Sequence, residues 1–263
     1  MKNIGEYAFE LARNLKRVFL HEGTKQVGKA AFSQSGITEI EIPRSIAFIP
    51  DMTFDGCDEL HTVKLPETIL RIGANAFSHC KSLININLPQ FLRELDHNAF
   101  EGCLSLSSVC IPEGVEHIGR EVFWKCEKLM ELTVLTDKIE RCDILWMCSS
   151  IRYIYTPSQA LAQKLFSDND YVCAIRGFIT KYHERKTTEE EVDGWVAYIS
   201  GHMLKCVENL GEEILFWRFV TEREMISAES VRTYVNLVSS IECRALLFNY
   251  LNECGEVDRD GGV

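Results

Sequence analysis

The chain lacks any apolar run near the ~18 residues that would cross a bilayer, and it lacks a basic excess. Lys and Arg number 28 against 39 Asp and Glu, a net charge of −11, and the balance is acidic in both parts: 18 against 23 in residues 1–175, 10 against 16 in residues 176–263. A phosphate backbone needs a basic stripe, so no nucleic-acid partner and no transmembrane segment are expected. The start, Met1-Lys2-Asn3-Ile4-Gly5, has no signal-peptide stretch. The chain as written is therefore expected in the cytoplasm, or at the cell surface if it is a fragment of a longer exported protein. No Asn-x-Ser/Thr sequon and no Cys-x-x-Cys pair occur, and the odd total of 11 cysteines suits a reducing compartment. Also missing are the Gly-x-Ser-x-Gly elbow, the phosphate loop, His-Glu-x-x-His and the dinucleotide fingerprint. A protein that is not an enzyme, with no cofactor and no metal, is the expectation.

What the chain does have is a repeat. Phe9, Phe32, Phe54, Phe77, Phe100 and Phe123 recur every 23 residues, with one 22-residue copy between Phe32 and Phe54. Five residues before each stands an aliphatic (Ile4, Val27, Ile49, Ile72, Leu95, Ile118), and four before usually a glycine (Gly5, Gly28, Gly73, Gly119), with Pro50 and Asp96 as exceptions. A cysteine follows three after in later copies (Cys57, Cys80, Cys103, Cys126), and a leucine then opens a segment such as Leu83-x-x-Ile86-x-Leu88-Pro89. Self-similarity at this period is the mark of a solenoid, whose coils bury their apolar sides only against neighbours.

Period-two alternation ended by proline predicts one short, half-buried strand per coil. Stacking at ~4.8 Å would align these into a parallel sheet. The Ile-Gly-x-x-Ala-Phe stretch, with its glycine turn, would form the opposite wall. The phenylalanines would then make an internal ladder, each ring contributing roughly 1.5–3 kcal/mol, while the adjacent Ser78 is expected at the surface.

The phrase Ile72-Gly73-x-x-Ala76-Phe77-x-x-Cys80-x-x-Leu83-x-x-Ile86-x-Leu88-Pro89, recurring over residues 4–157, closely resembles the BspA-type leucine-rich repeat family of bacterial surface proteins and some parasites. That resemblance implies an α/β repeat fold, a curved leucine-rich-repeat solenoid, and binding of proteins or surfaces without catalysis. It does not imply a ligand, because repeated positions hold the scaffold and variable positions choose the partner.

Cys57, Cys80, Cys103 and Cys126 read as core packing, with Ser35 and Ala12 in the same slot of other coils. One metal ion could not serve all four, since coil spacing spreads them over roughly 15 Å. His79 reads as a solvated turn residue without catalytic partners. Asp168-Asn169-Asp170 reads as a loop. Asp258-Arg259-Asp260-Gly261 opens like a calcium loop but belongs to a frayed, disordered tail.

If the solenoid binds a ligand, the candidate positions are the outward strand residues of the concave face. One row is Arg17, Glu39, Thr62, Asn85, Ser108, Glu131 and Tyr153; the other is Phe19, Glu41, Lys64, Asn87, Cys110, Thr133 and Tyr155. Polar residues fill the middle and aromatics the ends. The two tyrosines stand out as interface residues, with packing against a following domain as the alternative.

Repeat text fades after Phe123, where Leu135 replaces the terminal proline and Trp146 takes the phenylalanine slot. Residues 151–157 give a last strand, Ser158 caps a short helix to Phe166, and residues 171–175 read as strand-like. This closes a solenoid domain of residues 1–175. In residues 176–263 the period becomes helical, which predicts a small all-α domain with a disordered tail. Thr188 and Glu191 form a capping box, and one stripe joins Val192, Trp195, Val196, Ile199, Met203, Cys206 and Leu210. Further helices are expected at 212–221, from Ser227, and at 243–252. Three functions are consistent with this organisation: a scaffold binding a protein, peptide or glycan; a fragment of a surface adhesin; and, least favoured, an enzyme with its site among the helices. The first coil, lacking a polar cap, also leaves an edge for self-association.

Overall fold

The computed structural model describes residues 3–138, 143–145, 147–165 and 168–260. The chain divides into two compact units, Met1–Ile154 and Tyr155–Val263. Compactness therefore groups the closing segment 155–175 with the helices instead of with the coils.

In the first unit the strands, in chain order, are β1 (Glu39–Glu41), β2 (Phe48–Ile49), β3 (Thr62–Lys64), β4 (Arg71–Ile72), β5 (Glu94–Leu95), β6 (Ser108–Ile111), β7 (His117–Ile118), β8 (Glu131–Val134) and β9 (Tyr153–Tyr155). β1 pairs with β3, and β6, β8 and β9 form a parallel run, all from the alternating segments. Their inward residues, Ile40, Val63, Val109, Leu132 and Ile154, are buried. A second parallel sheet, β2-β4-β5-β7, runs along the aliphatic-glycine positions, so some coils carry two short strands.

Between the sheets stands the phenylalanine ladder. Neighbouring rings lie 5.2 to 5.8 Å apart and within 14° of parallel, inside the favourable stacking range. All but Phe9 are fully buried. The backbone beside them is joined in one direction: the N–H of Phe9, Phe32, Phe54, Phe77 and Phe100 each donates to a carbonyl of the following coil, at 2.7 to 2.9 Å. Residues two before and two after each phenylalanine take the left-handed conformation, among them Ala30, Met52, Asn75 and His79 with φ of 51 to 58°. This conformation is costly for residues with a Cβ, and here it aims their N–H groups at the next coil as well.

The repeated glycine has a different reason. A Cβ on Gly28, Gly73 or Gly119 would lie 2.2 to 2.7 Å from backbone atoms of the preceding coil, so glycine there permits close approach instead of a turn. The left-handed glycines are Gly56 and Gly102 (φ 69° and 64°). Ser78, expected at the surface, is buried, with its hydroxyl 2.7 Å from His79 Nδ1. The cysteine slot packs as expected and adds a bond: Sγ of Cys57, Cys80, Cys103 and Cys126 donates to the phenylalanine carbonyl of the preceding coil at 3.0 to 3.2 Å. Cys148, which the repeat text did not single out, extends this row to Phe123 at 3.1 Å. Trp146 lies outside the described residues.

The second unit is helical: α1 (Gln159–Leu165), α2 (Asp168–His183), α3 (Glu189–Gly201), α4 (Met203–Leu210), α5 (Ile214–Glu222), α6 (Ala228–Tyr234) and α7 (Ile241–Asp260). Ser158 accepts from the Leu161 N–H at 3.3 Å, the capping box at Thr188 is present, and Ser227 caps α6. Three expectations are corrected. Residues 171–175 are helix, not strand: Tyr171, Ala174, Ile175 and Phe178 are buried at helical spacing, and a short apolar run alone does not separate the two. Asp168–Asp170, read as a loop, is the first turn of α2. α7 runs beyond 252 to Asp260, taking in most of the supposed tail; residues 261–263 lie outside the described residues. The long stripe is also broken at His202, so its lower half belongs to α4. The helical core is aromatic, with Phe178 5.2 Å from Trp195 and 5.4 Å from Phe219, and Arg176 pairs with Glu213 at 2.7 Å.

Candidate functional site

Because each strand turns its central residue inward, the residues on either side face outward, and parallel register places equivalents from successive coils in line. Arg17 bridges to Glu39, Glu39 pairs with Thr62, Asn85 bridges to Ser108 and Ser108 pairs with Glu131. In the second row Glu41 pairs with Lys64 and Cys110 with Thr133. The Tyr153 N–H donates to the Met130 carbonyl, placing β9 beside β8. Backbone pairing thus aligns Arg17, Glu39 and Thr62 in one group and Asn85, Ser108 and Glu131 in another. Most of the candidate residues are exposed; Ser108, Thr133 and Tyr155 are half-buried.

The face changes character along its length. In the first coils Arg17, Phe19, Glu39, Glu41, Thr62 and Lys64 line a depression of about 250 Å³, with Phe19 90% exposed. Arg17 pairs with Glu39 at 3.2 Å and Lys64 with Glu41 at 3.3 Å. Exposed pairs of this kind contribute about 0.2–1 kcal/mol each, so a ligand's charges can replace them at small cost. Asn85, Asn87 and Ser108 then make a neutral stretch, followed by exposed Glu131 with Thr133 on the same strand. The two tyrosines differ. Tyr153 is open, but the Tyr155 hydroxyl donates to Glu191 at 3.0 Å, its ring lies 5.9 Å from Lys181 Nζ, and burial together with the Glu191 carboxylate pushes its phenol up to about 12.

The 22-residue copy has a structural result that residue types alone do not signal. The missing residue falls at the turn holding Gly36, and a cavity of about 460 Å³ opens there, lined by Arg13, Gln34, Gly36, Asp55, Asp58, His79 and Lys81 among others. Lys16 reaches the Glu59 carboxylate at 2.7 Å, spanning 43 residues of chain. His79, read as partnerless, lies between two carboxylates, with Nδ1 3.8 Å from Asp55 and Nε2 3.9 Å from Glu101. Burial raises the Asp55 pKa, opposed by Ser78 and His79. Ser78, His79 and Asp55 carry the residue types of a hydrolytic triad, but the Ser78 hydroxyl is sealed in the wall at 1% exposure. A substrate carbonyl has no path to it. Among the described residues, no group of three or more His, Cys, Asp or Glu is placed to hold a metal ion, and no helix is long and apolar enough to cross a membrane.

The BspA type leucine rich repeat region, in six copies, matches residues 1–78 and 48–172. Two solved structures are similar. A leucine-rich repeat protein from Bacteroides ovatus ATCC 8483 is 25% identical with a TM-score of 0.50, over 59% of this chain and 46% of its own. A leucine rich cell surface protein from Faecalibacterium prausnitzii A2-165 is 23% identical with a TM-score of 0.50, over 64% of this chain and 55% of its own. The chain thus spans about half the length of each. No curated protein matches it.

Proposed function

This chain belongs to the BspA-type leucine-rich repeat family, and from that premise we propose that it is a non-catalytic interaction scaffold whose strand face, from Arg17 to Tyr153, docks a protein, peptide or glycan. The observation that carries the reading is the register: paired coils present varied, mostly exposed side chains in two rows while the inward positions stay aliphatic. An extended ligand lying across the coils would meet charges and Phe19 at one end, neutral amides and hydroxyls in the middle, and Glu131 with Tyr153 at the other. The depression at Phe19 supports an apolar anchor there. Display at a cell surface, as part of a longer adhesin, is the second reading; it is supported by the printed description of the Faecalibacterium neighbour as a cell surface protein.

A photo-crosslinking residue at Asn87 tests the proposal against one at Arg120, which is exposed on the turn wall. The expected outcome, in native cells, is a covalent adduct from position 87 that is weakened by Lys64→Glu and absent from position 120. Equal labelling at both positions, or at neither, contradicts it. Tyr153→Ala is a cleaner probe than Tyr155→Ala, because Tyr155 also holds Glu191.

A further inference from the structure

Where α5 and α7 pack together they leave an open groove of about 800 Å³. Its lining combines Ala245, Leu246 and the Tyr250 ring with the carboxylates of Glu224, Glu242 and Glu253. None of these three glutamates has an ion-pair partner among the described residues. Arg218 is the one basic side chain among the lining residues.

Alongside the groove, α7 carries a second apolar row that its own core does not use. Cys243 and Leu247 are fully buried, whereas Ile241 and Phe248 are 85% and 52% exposed, with exposed Ala245 between them at helical spacing. A helix that only covers a core presents polar residues on that outer side. An exposed apolar row beside unneutralised carboxylates is the pattern of a docking surface. The charge decides the occupant. A second copy of this chain brings a net charge of −11 to an acidic groove, and like charges brought together oppose association.

We propose that the α5–α7 groove, extended by the Ile241–Phe248 row, docks a basic amphipathic helix of a partner protein. Its apolar residues would seat on Ala245, Leu246 and Phe248, and its Lys or Arg residues would face Glu224, Glu242 and Glu253. Anchors at i, i+3, i+4 and i+7 suit such a groove.

The full chain is titrated with a fluorescent helical peptide of about 18 residues, ~27 Å long, carrying leucines on one face and lysines on the other, and anisotropy is read. Reversing the groove glutamates (Glu224→Lys, Glu242→Lys, Glu253→Lys) is expected to weaken binding by about tenfold or more. Reversing Glu10, Glu113 and Glu208, exposed residues elsewhere, leaves it unchanged, Phe248→Ser weakens it, and a leucine–glutamate peptide does not bind. Equal loss from both triple reversals shows bulk attraction to an acidic protein and overturns the proposal. So does a homodimer in light scattering that Phe248→Ser dissolves.

Discussion

At the scale of single residues, the fold is set by how closely coils approach. Gly73→Ala places a methyl 2.4 Å from Asp51 Oδ1 and 2.7 Å from its backbone nitrogen, so a loss of about 1–3 kcal/mol is expected in urea denaturation. Gly5→Ala, at the same repeat position with nothing within 4 Å, should be near neutral. Phe77→Ala should cost about 3–5 kcal/mol, and Phe9→Ala less, since Phe9 is only half-buried. Sequence spacing alone places both the aromatic and the glycine, yet it assigns the glycine the wrong duty: period shows that a position is special, but whether it serves φ or contact depends on the neighbouring coil. Ser78 illustrates the same gap. A polar residue beside the ladder looks exposed in sequence, but it is buried with its hydroxyl on the His79 ring.

At the scale of elements, the thiol row links coil to coil and predicts a pH response. Burial pushes the Cys57 thiol up to about 11 and raises those of Cys80, Cys103 and Cys126 as well. Up to pH about 9, the ordinary thiol value, folded and unfolded chains both keep these protons, and the row's contribution is complete. Above it the unfolded chain ionises while the fold does not, so stability falls with rising pH, by up to about 1.4 kcal/mol per pH unit per thiol. For Cys57 the loss runs from pH about 9 to about 11. Denaturation midpoints measured from pH 8 upward should fall less steeply in Cys57→Ser. Strands β1, β3, β6, β8 and β9 were legible in sequence because period two acts locally, whereas the coils at Arg17 and Asn85, expected to carry strands too, pair there through single bridges. Where the terminal proline is absent, the Leu135 N–H donates to the Ile111 carbonyl at 2.9 Å, a bond proline would forbid. Less legible was residues 171–175, whose β-type residues pack as a helix because the neighbouring helices offer a surface at helical spacing. The acidic groove at α7 has no periodic signature at all, since α5 and α7 bring it together from separate stretches.

At the scale of the molecule, the candidate face follows from the repeat itself: fixing the inward residues of one coil fixes the outward residues of all. The cavity at Gly36 is the exception, lying beside the turn where one copy is a residue short, a change of spacing and not of composition. The joints between coils have a further consequence. Backbone hydrogen bonds join each coil to the one before and the one after it, and the aromatic rings stack on immediate neighbours. Tension along the stack is therefore borne by one joint at a time. Held between optical traps, the array should yield as a ratchet, each rupture releasing a single turn of chain and adding about 75 Å of contour. A surface tether built this way would lengthen under shear in small equal steps and rewind when the flow eases.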